Sequence, residues 1–335
     1  MNDIEYAKIL ANYIFNTVFD GISRTMKLNR KRYSGTIDKI SKEVSMGAYD
    51  INMFLNFDEY NDIILEFKEI LDVKLSHCHN NAFYQNIKDL ILEEFDTPTP
   101  ESDPVTMKLT DADLEKAAKG AAALDRLIDT FKLDGLAYYY EGQENTIQRE
   151  VATSFIVGNS ILNAQGIPMC GEFDIKTLIA MLIMDRLNIG GSFAEFHPFD
   201  FNEDFILVGH DGPHHIAIAE GKPILRSLTK FHGKPGSGAS VEFKLKEGPI
   251  TMLGITQTHD GRFKFVIGEG YSKKGPIPPT GNTNTRGFFE PTTKEFIKKW
   301  VMEGPTHHYA LGIGHHASTI KKIADVLGIE SVIVK

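Results

Sequence analysis

The sequence is organised around two segments, GGSFAEF at residues 190–196 and FILVGHDGPHH at residues 205–215. Glycine and proline mark the ends of both segments, and we predict that the two form neighbouring strands. The first strand carries Glu195, and His210 directly follows the second. A carboxylate and an imidazole on adjoining strands are a ligand pair that can hold a divalent metal ion.

The composition is that of a globular protein, and it excludes several classes of function. Of the 335 residues, 42% are hydrophobic and 24% are charged, which suits ordinary cores in about two domains. We expect a cytoplasmic protein without a membrane partner, because apolar runs of membrane length and a secretory apolar segment are both missing. The net charge of −9 argues against a nucleic-acid partner. Cys78 and Cys170 form no CxxC pair, so neither a disulfide framework nor a zinc knuckle is expected.

The pattern along the chain predicts three regions. Residues 1–104 are expected to be a mostly helical N-terminal region, with helical spacing at residues 4–19, 60–71 and 83–95. The proline-rich segment at residues 97–104 is the predicted boundary. Residues 105–187 alternate helices and strands, which predicts a central α/β domain. Residues 188–335 contain short β-prone runs and are expected to form a C-terminal antiparallel β domain.

The central region places a second carboxylate where ligands collect in α/β sheets. We predict a strand at Ile167–Cys170 and a helix at Asp174–Leu187, preceded by an earlier helix that Thr110 caps. Glu172 lies between the strand and the helix, at the carboxyl end of the strand, which is the usual ligand-binding edge. Asp174 is suited to cap the helix. We therefore assign Asp174 to the cap and Glu172 to the site.

The C-terminal region is predicted to return to helix only near its end. Strands are expected at residues 205–209, 223–228, 240–246, 250–257 and 262–269, helices at 291–302 and 317–327, and a closing β segment at 329–335. An Asp260-Gly261 pair predicts a hairpin turn between two of the strands.

Histidines are concentrated in the second half of the chain, where ten of the twelve follow residue 190. The candidate metal ligands are Glu172, Glu195, His210 and one of His307 or His308. Two carboxylates with two imidazoles suit Mn²⁺, Co²⁺, Zn²⁺ or Fe²⁺. Taken singly, each residue also has an ordinary structural explanation, such as a salt bridge or a core histidine. Their joint appearance beside glycine-rich turns favours a metal site.

These segments resemble the signature segments of the L-arabinose isomerase and L-fucose isomerase superfamily, in particular its arabinose isomerase-like branch. The resemblance covers about residues 105–330 and rests on GEFDIKT at 171–177, GGSFAE at 190–195, VGH at 208–210, GPTHH at 304–308, GHDGPHH at 209–215 and GNTN at 281–284. It implies that Glu172, Glu195, His210 and His308 bind a catalytic divalent metal, usually Mn²⁺. It also implies a barrel-like C-terminal domain and a homo-oligomer, either a trimer or a hexamer. The family's N-terminal α/β domain is not apparent in residues 1–104, and we expect this chain to lack it.

The same resemblance implies the reaction. An open-chain aldose would be converted to a ketose through an enediolate, with Glu172 and Glu195 as the acid and base; which of the two is the base stays open. His307, His214, His215 and Asn284 are further candidates for contacts with the sugar, together with Asn282 and Arg286, although each has a structural explanation as well. Two alternatives remain: a metal-dependent epimerase of a sugar or hydroxy acid, and a non-catalytic sugar-binding relative.

Overall fold

The structure, a computed structural model, describes residues 89–96, 109–131, 133–138, 153–172, 174–212, 214–228, 230–231, 234–235, 238–277 and 283–335. Residues 89–94 are helical, within one of the predicted helices. The rest of the N-terminal region lies outside the described residues, as do Cys78 and the predicted boundary at 97–104. Among the helices in the described ranges, none combines the length and the apolar character needed to cross a lipid bilayer.

The central layer contains two helices and two short strands. These elements are α1 (Asp111–Phe131), β1 (Leu136–Ala137), α2 (Ile156–Ala164) and β2 (Met169–Cys170). β1 and β2 pair in parallel, as the alternation of helices and strands predicts. Thr110 caps α1 as predicted: its Oγ1 accepts a hydrogen bond from the backbone N–H of Asp113 at 3.1 Å, and Asp113 Oδ2 accepts one from the N–H of Thr110 at 2.9 Å.

The remaining elements follow this layer. They are α3 (Ile175–Arg186), β3 (Gly190–Asp200), β4 (Phe205–Gly209), β5 (Ile224–Ser227), β6 (Lys230–Phe231), β7 (Lys234–Pro235), β8 (Ala239–Glu242), β9 (Gly248–Gln257), β10 (Phe263–Lys273), β11 (Thr283–Phe288), α4 (Thr293–Met302), β12 (His308–Ile313), α5 (Ala317–Leu327) and β13 (Glu330–Val334). Seven strands form one sheet in the order β11-β4-β3-β12-β9-β10-β13, and β10 also pairs with β11. β5 pairs with β8, and β6 with β7, in separate two-stranded sheets.

The large sheet is buried on both faces, and successive residues of a strand point to opposite faces. One face packs on α3 and α5 and contains Phe193 and Ala310. The other face packs on α4, and includes Ala194 and Tyr309 packed with Trp300. We call these the α3 face and the α4 face. Because Glu195 follows Phe193 by two residues, the strand alternation assigns Glu195 to the α3 face.

Several predicted elements are confirmed in the C-terminal region. The strand at 205–209 and the helix at 317–327 have the predicted bounds. The Asp260-Gly261 turn joins β9 to β10, and Gly261 has the positive φ of +82° that the turn requires. The overall class, α/β with helices packed on the sheets, agrees with the prediction, whereas the barrel-like form and the domain boundaries stay predictions.

We predicted an antiparallel sheet for this region, and the prediction is wrong in one respect because the sheet is mixed. β13 pairs in parallel with β10, with Lys264 opposite Glu330. The physical reason is the helix α5 between β12 and β13, because a helical crossover returns the chain in the same direction, unlike a hairpin. In addition, the predicted strand at 240–246 ends at Glu242, where the pairing with β5 ends, and Leu245 instead forms an isolated bridge with Ala219.

Gly191 allows β3 to approach α3 closely, and this contact is testable. Its φ is +117°, and an added Cβ would lie 2.6 Å from the Met181 carbonyl oxygen. We expect Gly191→Ala to lower the free energy of unfolding by about 3 kcal/mol, the sum of backbone strain and overpacking. Gly221→Ala is the control, because Gly221 has a φ of +76° with open space around it. Its expected loss in urea unfolding is about 1 kcal/mol, and equal losses for both variants would contradict the packing argument.

Candidate metal centre

Glu195 lies on the middle one of three adjacent strands. In the sheet register Glu195 of β3 is opposite Gly209 of β4 on one side and opposite His308 of β12 on the other. His210 directly follows Gly209. Directly opposed residues of an antiparallel pair have Cβ atoms about 4.5–5.5 Å apart. The register therefore brings Glu195, His210 and His308 to one level of the sheet.

Glu172 reaches the same level from the turn between β2 and α3. Its φ of +61° lies in the left-handed region, which costs a residue with a side chain about 1–2 kcal/mol. Asp174 ends this turn as the N-cap of α3, and its Oδ1 accepts a hydrogen bond from the N–H of Thr177 at 2.9 Å. The predicted cap is thus confirmed. Strained backbone of this kind clusters at functional sites, so the turn is consistent with a role for Glu172.

The side chains form two overlapping groups. Glu172, His210 and His308 bring ligand atoms within 4.8 Å of one another, and Glu195, His307 and His308 do the same. In the first group the Glu172 carboxylate lies 3.4 Å from His308 Nε2 and 3.7 Å from His210 Nε2. Because His308 belongs to both groups, it joins all four predicted ligands and His307 in one cluster.

The two buried imidazoles point their Nε2 atoms at each other. The Nδ1 atom of His308 lies 3.1 Å from Asp174 Oδ2, and Nδ1 of His210 contacts the backbone carbonyl oxygen of Asp211. A carboxylate and a carbonyl can only accept, so both Nδ1 atoms carry a proton, and each ring in its Nδ1–H tautomer would turn the lone pair of Nε2 toward the other ring. These two atoms are 3.3 Å apart. In that tautomer the two lone pairs would repel each other, and a shared cation would relieve the repulsion.

One side of the cluster is closed and the other is open. The ring of Phe193 lies against it, with its centroid 4.4 Å from that of His210 and 4.3 Å from that of His308. His308 is almost fully buried, whereas the side chain of Glu195 is 32% exposed and that of His307 is 70% exposed. A small ligand can therefore approach the carboxylates from the side of His307.

The surroundings favour the charge states that metal ligands need. Burial, together with the neighbouring His308, lowers the pKa of His210 to about 4, so this imidazole is neutral at pH 7. Burial on its own would raise the pKa of Glu195, but the hydrogen bond from His197 and the nearby His210 hold that pKa below its usual value. A neutral imidazole and an ionised carboxylate are the forms that coordinate a metal.

The residues expected to contact a substrate lie in different surroundings. His307 is at the open side of the cluster, with Nε2 3.9 Å from the Glu172 carboxylate. His215 lies elsewhere: its Nε2 is 3.6 Å from the carboxylate of Asp185, near the end of α3. Of these two predicted substrate residues, the structure therefore brings only His307 into the cluster.

Two further candidate substrate residues, Asn284 and Arg286, contact residues that belong to neither ligand group. Asn284 is buried and donates a hydrogen bond from Nδ2 to the Phe243 carbonyl oxygen at 3.2 Å. Arg286 forms an ion pair with Glu203 and lies over an aromatic ring on the strand β4. Asn282 lies outside the described residues. In these positions Asn284 and Arg286 have a structural explanation, and their contact with a sugar stays a prediction.

His214 is fully buried, and its ring stacks on Phe243 with the two centroids 4.9 Å apart. Burial, and secondarily the neighbouring His210, lowers the pKa of His214 to about 3, while the charge of Asp211 opposes this shift. The folded protein therefore keeps this imidazole neutral well below the pH at which it protonates in the unfolded chain. Its surroundings are those of a core histidine.

This burial predicts a pH-dependent loss of stability. Because the unfolded chain binds a proton near pH 6.5 and the folded chain does not, stability falls as the pH drops below 6.5. Between pH 7 and pH 5 we expect His214 to account for about 2 kcal/mol of this loss. Urea unfolding of the wild type and of His214→Gln at both pH values measures the difference. Equal losses in the two proteins would show that His214 does not contribute.

Three residues that contact the cluster were not assigned to it from the sequence. Asp174, assigned only to the helix cap, also contacts His308. Phe193 supports both imidazoles, and His197 lies with Nε2 3.5 Å from the Glu195 carboxylate. For Phe193 and His197 the sequence did contain a signal. Residues 193, 195 and 197 alternate along β3, which puts all three on the same face of the strand as the ligand Glu195.

Comparison with known proteins bears on the C-terminal part of the chain. Residues 222–335 match the family described as L-fucose isomerase, C-terminal domain. The chain is 29% identical over 182 residues to an L-arabinose isomerase of Nocardioides sp. and 27% identical over 180 residues to L-arabinose isomerase 1 of Bacillus licheniformis. Each match covers 52% of this chain and 36% of the relative, so the chain spans little more than a third of the length of these relatives. The C-terminal region of this chain is therefore similar to the C-terminal domain of L-fucose isomerase, and about half of the chain is similar to L-arabinose isomerases.

Proposed function

We propose that the chain is an aldose–ketose isomerase in which Glu172, Glu195, His210 and His308 hold a divalent metal ion. The observation that carries the proposal is the 3.3 Å approach of the Nε2 atoms of His210 and His308, next to the Glu172 carboxylate. The activity of the similar proteins, L-arabinose isomerases by name, supports the reaction class. The homo-oligomer and the cytoplasmic location stay predictions.

The donor set fits the proposed ion. Nitrogen and oxygen donors suit Mn²⁺ and Co²⁺, and the absence of sulfur among these donors disfavours a closed structural zinc site. Cys170 is nearby in sequence, but its Sγ donates to the backbone carbonyl oxygens of Gly171 and Asp174 at 3.2 and 3.3 Å, and burial raises its pKa. We therefore propose Mn²⁺ as the resident ion, with Co²⁺ as a substitute.

The chain's own groups would carry the proton transfers. Glu172 and Glu195 both lie beside His308, and both side chains are partly exposed. In an open-chain aldose, one carboxylate would remove the C2 proton, and the C2 hydroxyl proton would pass to O1. The other carboxylate, protonated from solvent, would deliver a proton to C1, so that the sugar passes through its enediolate. A bound divalent ion would supply Lewis-acid polarisation of the two sugar oxygens.

His307 is suited to contact the sugar as it enters. It is mostly exposed, lies beside His308 with ring centroids 3.6 Å apart, and faces the Glu172 carboxylate. Partial desolvation by the packed neighbours, and secondarily the adjacent His308, lowers the pKa of His307 although much of its side chain stays exposed, so the neutral ring can both donate and accept hydrogen bonds at pH 7. Sugar hydroxyls match both roles.

Metal analysis combined with a sugar panel tests this proposal. Purified full-length protein is analysed for bound divalent ions and then assayed with Mn²⁺ on aldoses, ketoses and hydroxy acids. We expect about one ion per chain and ketose formed from at least one aldose, lost after chelation and restored by Mn²⁺. Interconversion of epimers without ketose would favour the epimerase alternative. Binding of sugar without turnover would favour a non-catalytic relative.

A further inference from the structure

Asp174 makes two kinds of contact that belong to different parts of the fold. Its Oδ1 accepts from the N–H of Thr177, and its Oδ2 accepts from the Thr177 hydroxyl at 2.7 Å; both contacts are inside the first turn of α3. The same Oδ2 accepts from Nδ1 of His308 at 3.1 Å, across 134 residues of sequence. The Asp174 side chain is 13% exposed and that of His308 is 2% exposed, so water competes little for this hydrogen bond.

We propose that Asp174 is a positioning residue for the metal centre, which fixes the tautomer and the ring orientation of His308 and ties the Glu172 turn to β12. This inference rests on the proposed metal site. A carboxylate that accepts from one ring nitrogen keeps the proton there and leaves the other nitrogen free as a ligand. Here that free atom is His308 Nε2, which is 3.4 Å from the Glu172 carboxylate.

The position of Asp174 in the chain adds a second effect. It lies two residues after Glu172, in the turn that holds Glu172 at a positive φ. By bonding to His308 on the sheet and to Thr177 in the helix, Asp174 connects the turn to both. The ligand from the turn and the ligand from β12 are therefore set at a fixed separation. Without Asp174 we expect the site to lose part of this preorganisation.

The cap and the positioning role can be separated by substitution. Asp174→Ser keeps an oxygen that caps the helix, because serine is about as good an N-cap as aspartate, but its side chain is too short to retain the His308 contact. Asp174→Asn retains the length and the cap while removing the charge. Thr177→Val is the matched control, since it removes the hydroxyl contact to Asp174 and leaves His308 untouched.

Two readouts are needed, and neither is enzymatic activity. Calorimetric titration with Mn²⁺ measures affinity: we expect it to fall by about 10–100-fold in Asp174→Ser and to stay near the wild-type value in Thr177→Val. We expect a similar fall in Asp174→Asn, because an amide whose oxygen caps the helix turns its N–H donor toward His308 Nδ1. In the metal-free proteins, ¹⁵N NMR of the His308 ring reports the tautomer. We expect the Nδ1–H form in the wild type and a mixture in Asp174→Ser.

The outcomes distinguish this inference from the proposed function. Wild-type affinity in Asp174→Ser, or an equal loss in Thr177→Val, would overturn the positioning role while the metal site stands. If the wild type binds no divalent ion, the proposed function fails, and the NMR measurement still decides whether Asp174 sets the tautomer. An Nε2–H ring in the wild type would overturn the inference directly.

Discussion

His308→Gln is expected to reduce Mn²⁺ affinity by more than about 100-fold, beyond the range that loss of an outer-shell partner causes. The reason is its position: His308 is the member shared by the Glu172–His210 group and the Glu195–His307 group. It is also the residue that Asp174 holds in place. Loss of its Nε2 removes a ligand and separates the two groups, whereas loss of any other residue leaves one group complete or nearly so.

Calorimetric titration with Mn²⁺ measures this effect, and a thermal unfolding curve checks the fold. His259→Gln is the matched control, because His259 is exposed in the β9–β10 turn and outside both groups. We expect its Mn²⁺ affinity to equal that of the wild type. Affinity within about three-fold of wild type in His308→Gln would mean that the ion, if bound, lies elsewhere, since a lost ligand costs far more.

Glu195→Gln is expected to lower the turnover of the aldose by about 10²–10⁴-fold at saturating Mn²⁺, the usual contribution of a positioned acid or base. Glutamine has nearly the same shape, so it preserves packing but cannot accept and return a proton. The partial exposure of Glu195 toward the open side puts its carboxylate within reach of a bound sugar.

A comparison with Glu247→Gln separates the loss of a catalytic carboxylate from a general loss of charge. Glu247 is exposed and pairs with Lys274 on the surface. Turnover by this variant should match that of the wild type. If Glu195→Gln also turns over at the wild-type rate, Glu195 carries no proton in the reaction, and the assignment of the acid–base pair to Glu172 and Glu195 is wrong.

Those residues of the candidate site that a local sequence pattern indicates could be predicted from the sequence. Glu195 and His210 follow from a glycine-marked pair of strands, and Glu172 follows from its place at the end of a strand. The choice between His307 and His308 required the resemblance to a family, because adjacent histidines have the same chemistry. The register decides their surroundings: His308 is opposite Glu195 and buried, while His307 is exposed.

Other features depend on long-range pairing and were not predicted. β12 pairs with β3 and β9, which are distant in sequence, and its residues His308–Ile313 follow a glycine-proline turn that does not indicate a strand. The contact of Asp174 with His308 has the same origin. The local pattern correctly predicted that Asp174 caps α3. The sheet places His308 against the same carboxylate, and no local pattern indicates that contact.

Isomerisation in D₂O tests whether a glutamate transfers the proton during the conversion of aldose to ketose. Wild-type protein with Mn²⁺ is incubated with the aldose on which it is most active, the metal is removed, and the sugars are analysed by NMR. We expect a ketose that carries deuterium at C1, because a glutamate in exchange with solvent returns the proton there. A ketose without deuterium, or bound Mn²⁺ with no ketose from any aldose, would contradict this expectation.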